Sequence, residues 1–180
     1  MRIVGGKYRS KKLWTPEGKE VRPTSERARE AIFNILFSRL GGDYGKLSLL
    51  DIFCGTGAFG FEALSRGFGH VTFIDIDTVP VNKNAKLFAA EKERFDIIKA
   101  DATRLPRSRR QYNMIFADAP YAKGLTEQAL EQLLAQNWLG EQAICVVEVR
   151  KDELFPLPEA FELLDERIYG LARVLFLRKR

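Results

Sequence analysis

The chain has 180 residues and a formal net charge of +5, long enough for one domain with a substantial core. No run of 18 apolar residues occurs and the opening MRIVGGKYRSKK has no apolar stretch of the secretory type, so neither a membrane span nor export is expected. Two cysteines, Cys54 and Cys145, both in apolar strand-like runs, and a single histidine, His70, argue against a disulfide framework and a zinc centre. A reducing cytoplasm is the expected compartment.

Charge is uneven along the chain. Residues 1–46 hold eleven Lys and Arg against five Asp and Glu, with further clusters at Arg104, Arg107, Arg109 and Arg110 and at Arg178–Arg180. Such clusters suit a polyanion, because neutralised phosphates release counterions, or they simply solvate the surface. Residues 1–23 read as a basic N-terminal arm in which RIVG and KKLW can pair as a short hairpin. Residues 24–180 read as the main domain. Its opening, TSERAREAIFNILFSRL, has a Thr/Ser cap and apolar residues at helical spacing from Ala28 to Leu36, and Gly41–Gly42 stops it. From residue 47 strands and helices alternate. LSLLDIFC, HVTFIDI, FDIIKA, NMIFAD and AICVVEV are strands; AFGFEALSRG, a stretch around 79–92 and another at about 125–136 are helices. That alternation predicts an α/β fold with a doubly wound, mostly parallel, Rossmann-like sheet. FELLDERIYG and ARVLFLRKR have no helix between them, so they complete seven strands as a C-terminal antiparallel hairpin.

The strand LLDIFC runs into GTGAFG, whose Gly55, Gly57 and Gly60 permit a tight turn and close approach of backbone to a ligand. Some twenty residues on, Asp75 ends the next strand, where a carboxylate can accept hydrogen bonds from ribose hydroxyls. Two nucleoside cofactors compete for this pattern. A nicotinamide dinucleotide would rest its pyrophosphate on the helix N-terminus. S-adenosylmethionine carries a sulfonium and an amino-acid tail instead, and Asp51 before the glycines favours it. Asp101 is placed to meet the adenine amine or to cap a turn; Asp77 reaches the ribose edge or caps the next helix.

Together LLDIFCGTGAFGFEALSRG, VTFIDID, KADA and DAPY resemble the class I S-adenosylmethionine-dependent methyltransferases. RIVGGKYRSKKL, RPTSERAREAIFNIL and the late IYG are similar to the RsmD family of 16S rRNA guanine-N2 methyltransferases, a resemblance running from residue 2 almost to the C-terminus. It implies that Asp51, Gly55 and Gly57 contact the methionine moiety, that Asp75 binds the ribose and that Asp101 lies beside the adenine; Asp77 and Ala102, next to these, are further candidate cofactor contacts. Asp118, Ala119, Pro120 and Tyr121 correspond to the catalytic loop. Arg22, Thr24 and Arg27 fall in the RPTS element, contacting RNA or bracing the site; with Arg2, Lys7, Arg9 and Lys11, the two arginines are candidate RNA contacts. Two departures stand out. Cys54 replaces a usual Ala, a harmless exchange of small buriable residues, and Ala119 replaces the first of two usual prolines.

In this chemistry an exocyclic amine needs acceptors for its two hydrogens, so that its lone pair points at the methyl group. Asp118 and a loop carbonyl supply them and Tyr121 stacks on the base. Ala119 keeps its carbonyl and costs only loop stiffness. The target guanine must be unpaired or flipped. Other readings are methylation of DNA adenine-N6 or of a protein glutamine, a dinucleotide-dependent oxidoreductase, and a non-catalytic RNA-binding protein. The expected partner is 16S rRNA, free or in the small subunit, and the expected state a monomer. Cys54 as a covalent nucleophile is disfavoured, since no base accompanies it.

Overall fold

The computed structural model describes residues 1–16, 26–120 and 124–180. Helix α1 (Glu26–Arg39) is followed by β1 (Ser48–Ile52), α2 (Ala58–Ser65), β2 (His70–Asp75), α3 (Val79–Ala85), a 3-10 segment (Lys86–Arg94) and β3 (Phe95–Lys99). Then come β4 (Tyr112–Ala117), α4 (Leu125–Ala135), β5 (Leu139–Arg150), β6 (Phe161–Tyr169) and β7 (Ala172–Lys179). They build one seven-stranded sheet in the order β3-β2-β1-β4-β5-β7-β6. Strands β1 to β5 pair in parallel; β7 runs antiparallel to both β5 and β6. This is the expected doubly wound sheet with its terminal hairpin.

Continuous apolar runs give the central strands two buried faces. On one face Phe116 of β4 and Val146 of β5 meet Ile32, Phe33 and Leu36 of α1 and Phe59 of α2. Phe59 stacks on Phe116 at 3.7 Å between ring centroids. On the other face Ile115 and Ala117 meet Ala129, Leu130 and Leu133 of α4. Gly60 lets α2 lie against β2: a Cβ there would come within 2.2 Å of the Phe73 ring.

Three sequence expectations change in detail. The helix expected around 79–92 is α3 followed by 3-10 geometry, with non-helical backbone at Phe88. That break accompanies the burial of the Phe88 ring, stacked on Phe61 at 4.4 Å. Strand β5 starts at Leu139 because its first residue pairs with Tyr112 ahead of an irregularity in register. Cys54 lies beyond β1 rather than within it, since Phe53 takes a positive φ of 57° and ends the strand.

Met1–Pro16 folds back on itself through an Arg2–Lys12 bridge, with Ile3 N donating to Lys11 O and Leu13 N to Met1 O. Ile3 and Leu13 enter the α1/α2 side of the core. The division expected between residues 23 and 24 lies outside the described residues. Among the described residues no helix is long and apolar enough to cross a membrane.

Candidate active site

The carboxyl ends of β1, β2, β3 and β4 converge at the reversal of strand order, where open α/β sheets place their ligands. After β1 the chain makes a loop with left-handed backbone at Phe53, Gly55 and Gly57. A Cβ on Gly55 would meet nothing within 4 Å, so the backbone there faces open space. At Gly57 it would strike the Phe61 ring and Val81 at 2.8 Å, so only glycine lets the loop enter α2.

Two acids brace this loop from beneath. Asp51 is buried on β1, and its Oδ2 accepts from Gly60 N in the first turn of α2 at 2.9 Å. Loss of solvent holds its carboxyl well above the usual carboxylate range; Asp75 adds to the rise and the Gly60 N–H opposes it. Asp75 Oδ2 accepts from Gly55 N at 2.8 Å, and its Oδ1 from Asp77 N at 2.9 Å. Asp77 Oδ1 accepts from Val79 N at 3.0 Å in an Asx turn that leads into α3. Asp101 accepts from Thr103 N and Oγ1 at 2.9 and 2.6 Å, and is exposed. Ala102 beside it is buried. Sequence left capping open for both Asp77 and Asp101; each side chain closes a local turn two residues on, and the cap residue of α3, Thr78, makes no side-chain bond.

This donor set bears on the competing cofactors. A pyrophosphate would need the α2 amides, but one of them, Gly60 N–H, already serves Asp51. Hydroxyls, an amine and a sulfonium suit an acid-lined loop. The residues present therefore fit S-adenosylmethionine better than a dinucleotide. Cys54 is a poor nucleophile: burial, with Asp51 and Asp75 nearby, pushes its thiol up so that it stays protonated.

Asp118 lies one residue beyond β4. Side chains alternate along that strand, Met114 and Phe116 toward α1 and α2 and Ile115 and Ala117 toward α4, so Asp118 continues on the α1/α2 side. Asp51 is paired in register with Phe116 on that side. Glu148 joins them: Ala117 pairs with Val147, which places Glu148 beside Asp118 at the carboxyl end of β4. Glu148 is 2% exposed. Loss of solvent, then the Glu148 and Asp51 charges, push the Asp118 carboxyl well above its usual range. Sequence reading missed Glu148; its signal was an acid inside the apolar run AICVVEV. Ala119 is buried and Pro120 exposed, while Tyr121 lies outside the described residues.

The candidate RNA contacts separate into two groups. Arg2 Nε pairs with Glu26 at 2.9 Å, Lys7 Nζ with Glu91 at 2.7 Å, and Lys11 Nζ donates to Leu87 O at 3.0 Å. Arg9 and Arg27 line a surface cleft of about 340 Å³ together with Arg2, Glu26 and Glu30. Arg22 and Thr24 lie outside the described residues.

A sheet with β7 alone reversed, a glycine loop after β1 and a carboxylate ending β2 define a class I methyltransferase fold. The family model described as conserved hypothetical protein 95 matches residues 1–178, and the chain belongs to this family, the RsmD family of methyltransferases. The ribosomal RNA small subunit methyltransferase D of Haemophilus influenzae is 33% identical over 177 residues, covering 95% of this chain and 90% of its own. Its namesake in Escherichia coli K12 is 32% identical over 173 residues, covering 94% and 85%. The solved structure of yhhF from Escherichia coli matches with a TM-score of 0.83 and 30% identity, covering 100% of this chain and 98% of that one.

Proposed function

We propose that this protein methylates the exocyclic N2 amine of one guanine in small-subunit 16S rRNA, using S-adenosylmethionine. The observation that carries the reading is the position of Asp118, at the edge of β4 on the same face as Asp51 and adjoining the glycine loop. Its near full-length kinship to ribosomal RNA small subunit methyltransferases D supplies the substrate class. Asp51 and the backbone of Gly55 and Gly57 would hold the methionine end, Asp75 and Asp77 the ribose, and Asp101 with Ala102 the adenine. Bound there, the cofactor supplies an electrophilic methyl group on sulfonium.

The chain's own residues then position the amine. A carboxyl with a raised pKa is neutral at moderately low pH, and its carbonyl oxygen still accepts a hydrogen bond from N2. The Ala119 carbonyl is offered as the second acceptor and Tyr121 as the stacking ring. Two acceptors fix the plane of the amine hydrogens and leave the nitrogen lone pair directed at the methyl group. Arg9 and Arg27, which line the cleft, serve the phosphates. The cytoplasm, where ribosomes assemble, is the corresponding compartment, and one copy of the chain suffices for the site as described.

Incubation with S-adenosylmethionine and small subunits, naked 16S rRNA or DNA, followed by nucleoside analysis and mapping, tests this. N2-methylguanosine at a single 16S position is expected. Methyl transfer to adenine-N6 in DNA, or none to any nucleic acid despite cofactor binding, would overturn the reading.

A further inference from the structure

Asn84, in α3, is fully buried and divides its carboxamide between two distant pieces of chain. Its Oδ1 accepts from Trp14 N at 2.7 Å. Its Nδ2 donates to Trp14 O at 3.1 Å and to Thr56 O at 2.9 Å. Both N–H bonds and the carbonyl are engaged, as a satisfied buried amide requires. Toward Trp14 the side chain acts as a neighbouring strand would. Toward Thr56 it holds the middle of the cofactor loop, between the left-handed Gly55 and Gly57.

Other anchors fasten residues 1–16 elsewhere. Glu62 accepts from Val4 N and Gly5 N, both at 2.8 Å; Ser65 Oγ accepts from Tyr8 N at 2.9 Å; Glu91 accepts from Lys7 and Tyr8, both at 2.7 Å. These fix the segment to the body of α2 and to the 3-10 segment. Asn84 is the anchor that also reaches the cofactor loop. Lys83 Nζ, 3.8 Å from the Trp14 ring centroid, covers the junction from outside.

We propose that Asn84 is a positioning residue that links seating of the N-terminal segment to occupation of the cofactor site. The loop and Trp14 share one rigid, buried amide, so neither shifts without weakening the other's hydrogen bonds. A cofactor that prefers the loop in its braced form thereby favours the seated segment, and by linkage the seated segment raises cofactor affinity by the same factor. The segment that carries Arg9, one of the proposed RNA contacts, is thus set when methyl donor is present. This rests on the cofactor reading above.

Hydrogen exchange of the wild-type protein with and without S-adenosylhomocysteine, beside calorimetric affinities for Asn84→Asp, Asn84→Ala and Glu91→Gln, tests it. Asn84→Asp keeps the shape and the acceptor but removes both donors. The proposal expects S-adenosylhomocysteine to slow exchange at Leu13 and Trp14 about 5-fold or more, a typical linkage. Both Asn84 variants should bind it about 5- to 50-fold more weakly and lose the ligand-dependent protection. Glu91→Gln, which weakens one anchor distant from the loop but leaves the Asn84 bonds and the seated segment in place, should bind within about twofold of wild type. If the wild type binds the ligand but exchange at Leu13 and Trp14 is indifferent to it, this proposal alone falls, whether or not the variants fold. If the wild type does not bind, the cofactor reading falls first and takes the proposal with it.

Discussion

Asp118 combines two requirements that pull against each other. It must stand at the carboxyl end of the sheet to reach a base, yet its carboxyl loses solvent and faces the Glu148 and Asp51 charges, so ionising it is costly. A raised folded-state pKa contributes stability below the unfolded value near 4 and loses it as pH rises through the folded one. Asp118→Asn removes that ionisation while keeping the carbonyl acceptor. Its melting temperature should exceed wild type at pH 8 by roughly 2–4 °C per kcal/mol relieved, with the gap closing toward pH 4. In methyl-transfer assays the same variant should stay within about tenfold of wild-type kcat, whereas Asp118→Ala should lose roughly 10²–10³-fold, as when one preorganised polar partner is removed. Equal activity in Asp118→Ala and wild type would remove Asp118 from the mechanism.

At the scale of elements, the packing of residues 1–16 on α2 and the 3-10 segment engages basic residues that stay largely exposed. Glu91, 5% exposed, takes Lys7, Tyr8 and Arg94 together. The Lys7 bond first, then the Tyr8 hydroxyl, pull its carboxyl down to about 2. A depressed carboxylate contributes stability that is complete above its unfolded pKa near 4.5 and fades as pH falls toward 2. Glu91→Gln should therefore destabilise by about 1 kcal/mol at pH 7, the low end for charged hydrogen bonds because Lys7 is largely exposed. The deficit should shrink between pH 4.5 and 2 in urea titrations. A constant deficit across that range would mean that packing, not charge, is what the substitution removes.

For the whole molecule, net charge predicts a polyanion but not which cations meet it. Lys7 and Lys11 are committed to Glu91 and Leu87, while Arg9 and Arg27 face a cleft. The slope of log affinity for unpaired rRNA against log salt should fall by about 0.7 for each of Arg9→Ala and Arg27→Ala, one phosphate contact apiece. Lys7→Ala should leave the slope nearly unchanged. Filter binding between about 50 and 200 mM salt measures both, and equal slopes for Lys7→Ala and Arg9→Ala would discard the division between bound and available cations.

Strand–helix alternation, the glycines after LLDIFC, the spacing to Asp75 and the position of DAPY were legible along the chain, because each rests on local periodicity or on a turn only particular residues can make. The family resemblance added residue roles that such periodicity does not carry. Which side of the sheet Asp118 faces, its adjacency to Glu148 across β4 and β5, the occupation of the α2 amide by Asp51 and the Asn84 bridge from Trp14 to Thr56 emerged only in three dimensions. These pairings span separations of 9 to 70 residues, reaching 58 for Val4 and Glu62 and 70 for Trp14 and Asn84. No local pattern encodes them; they exist because strand order and helix packing bring buried polar groups to where each must find a partner.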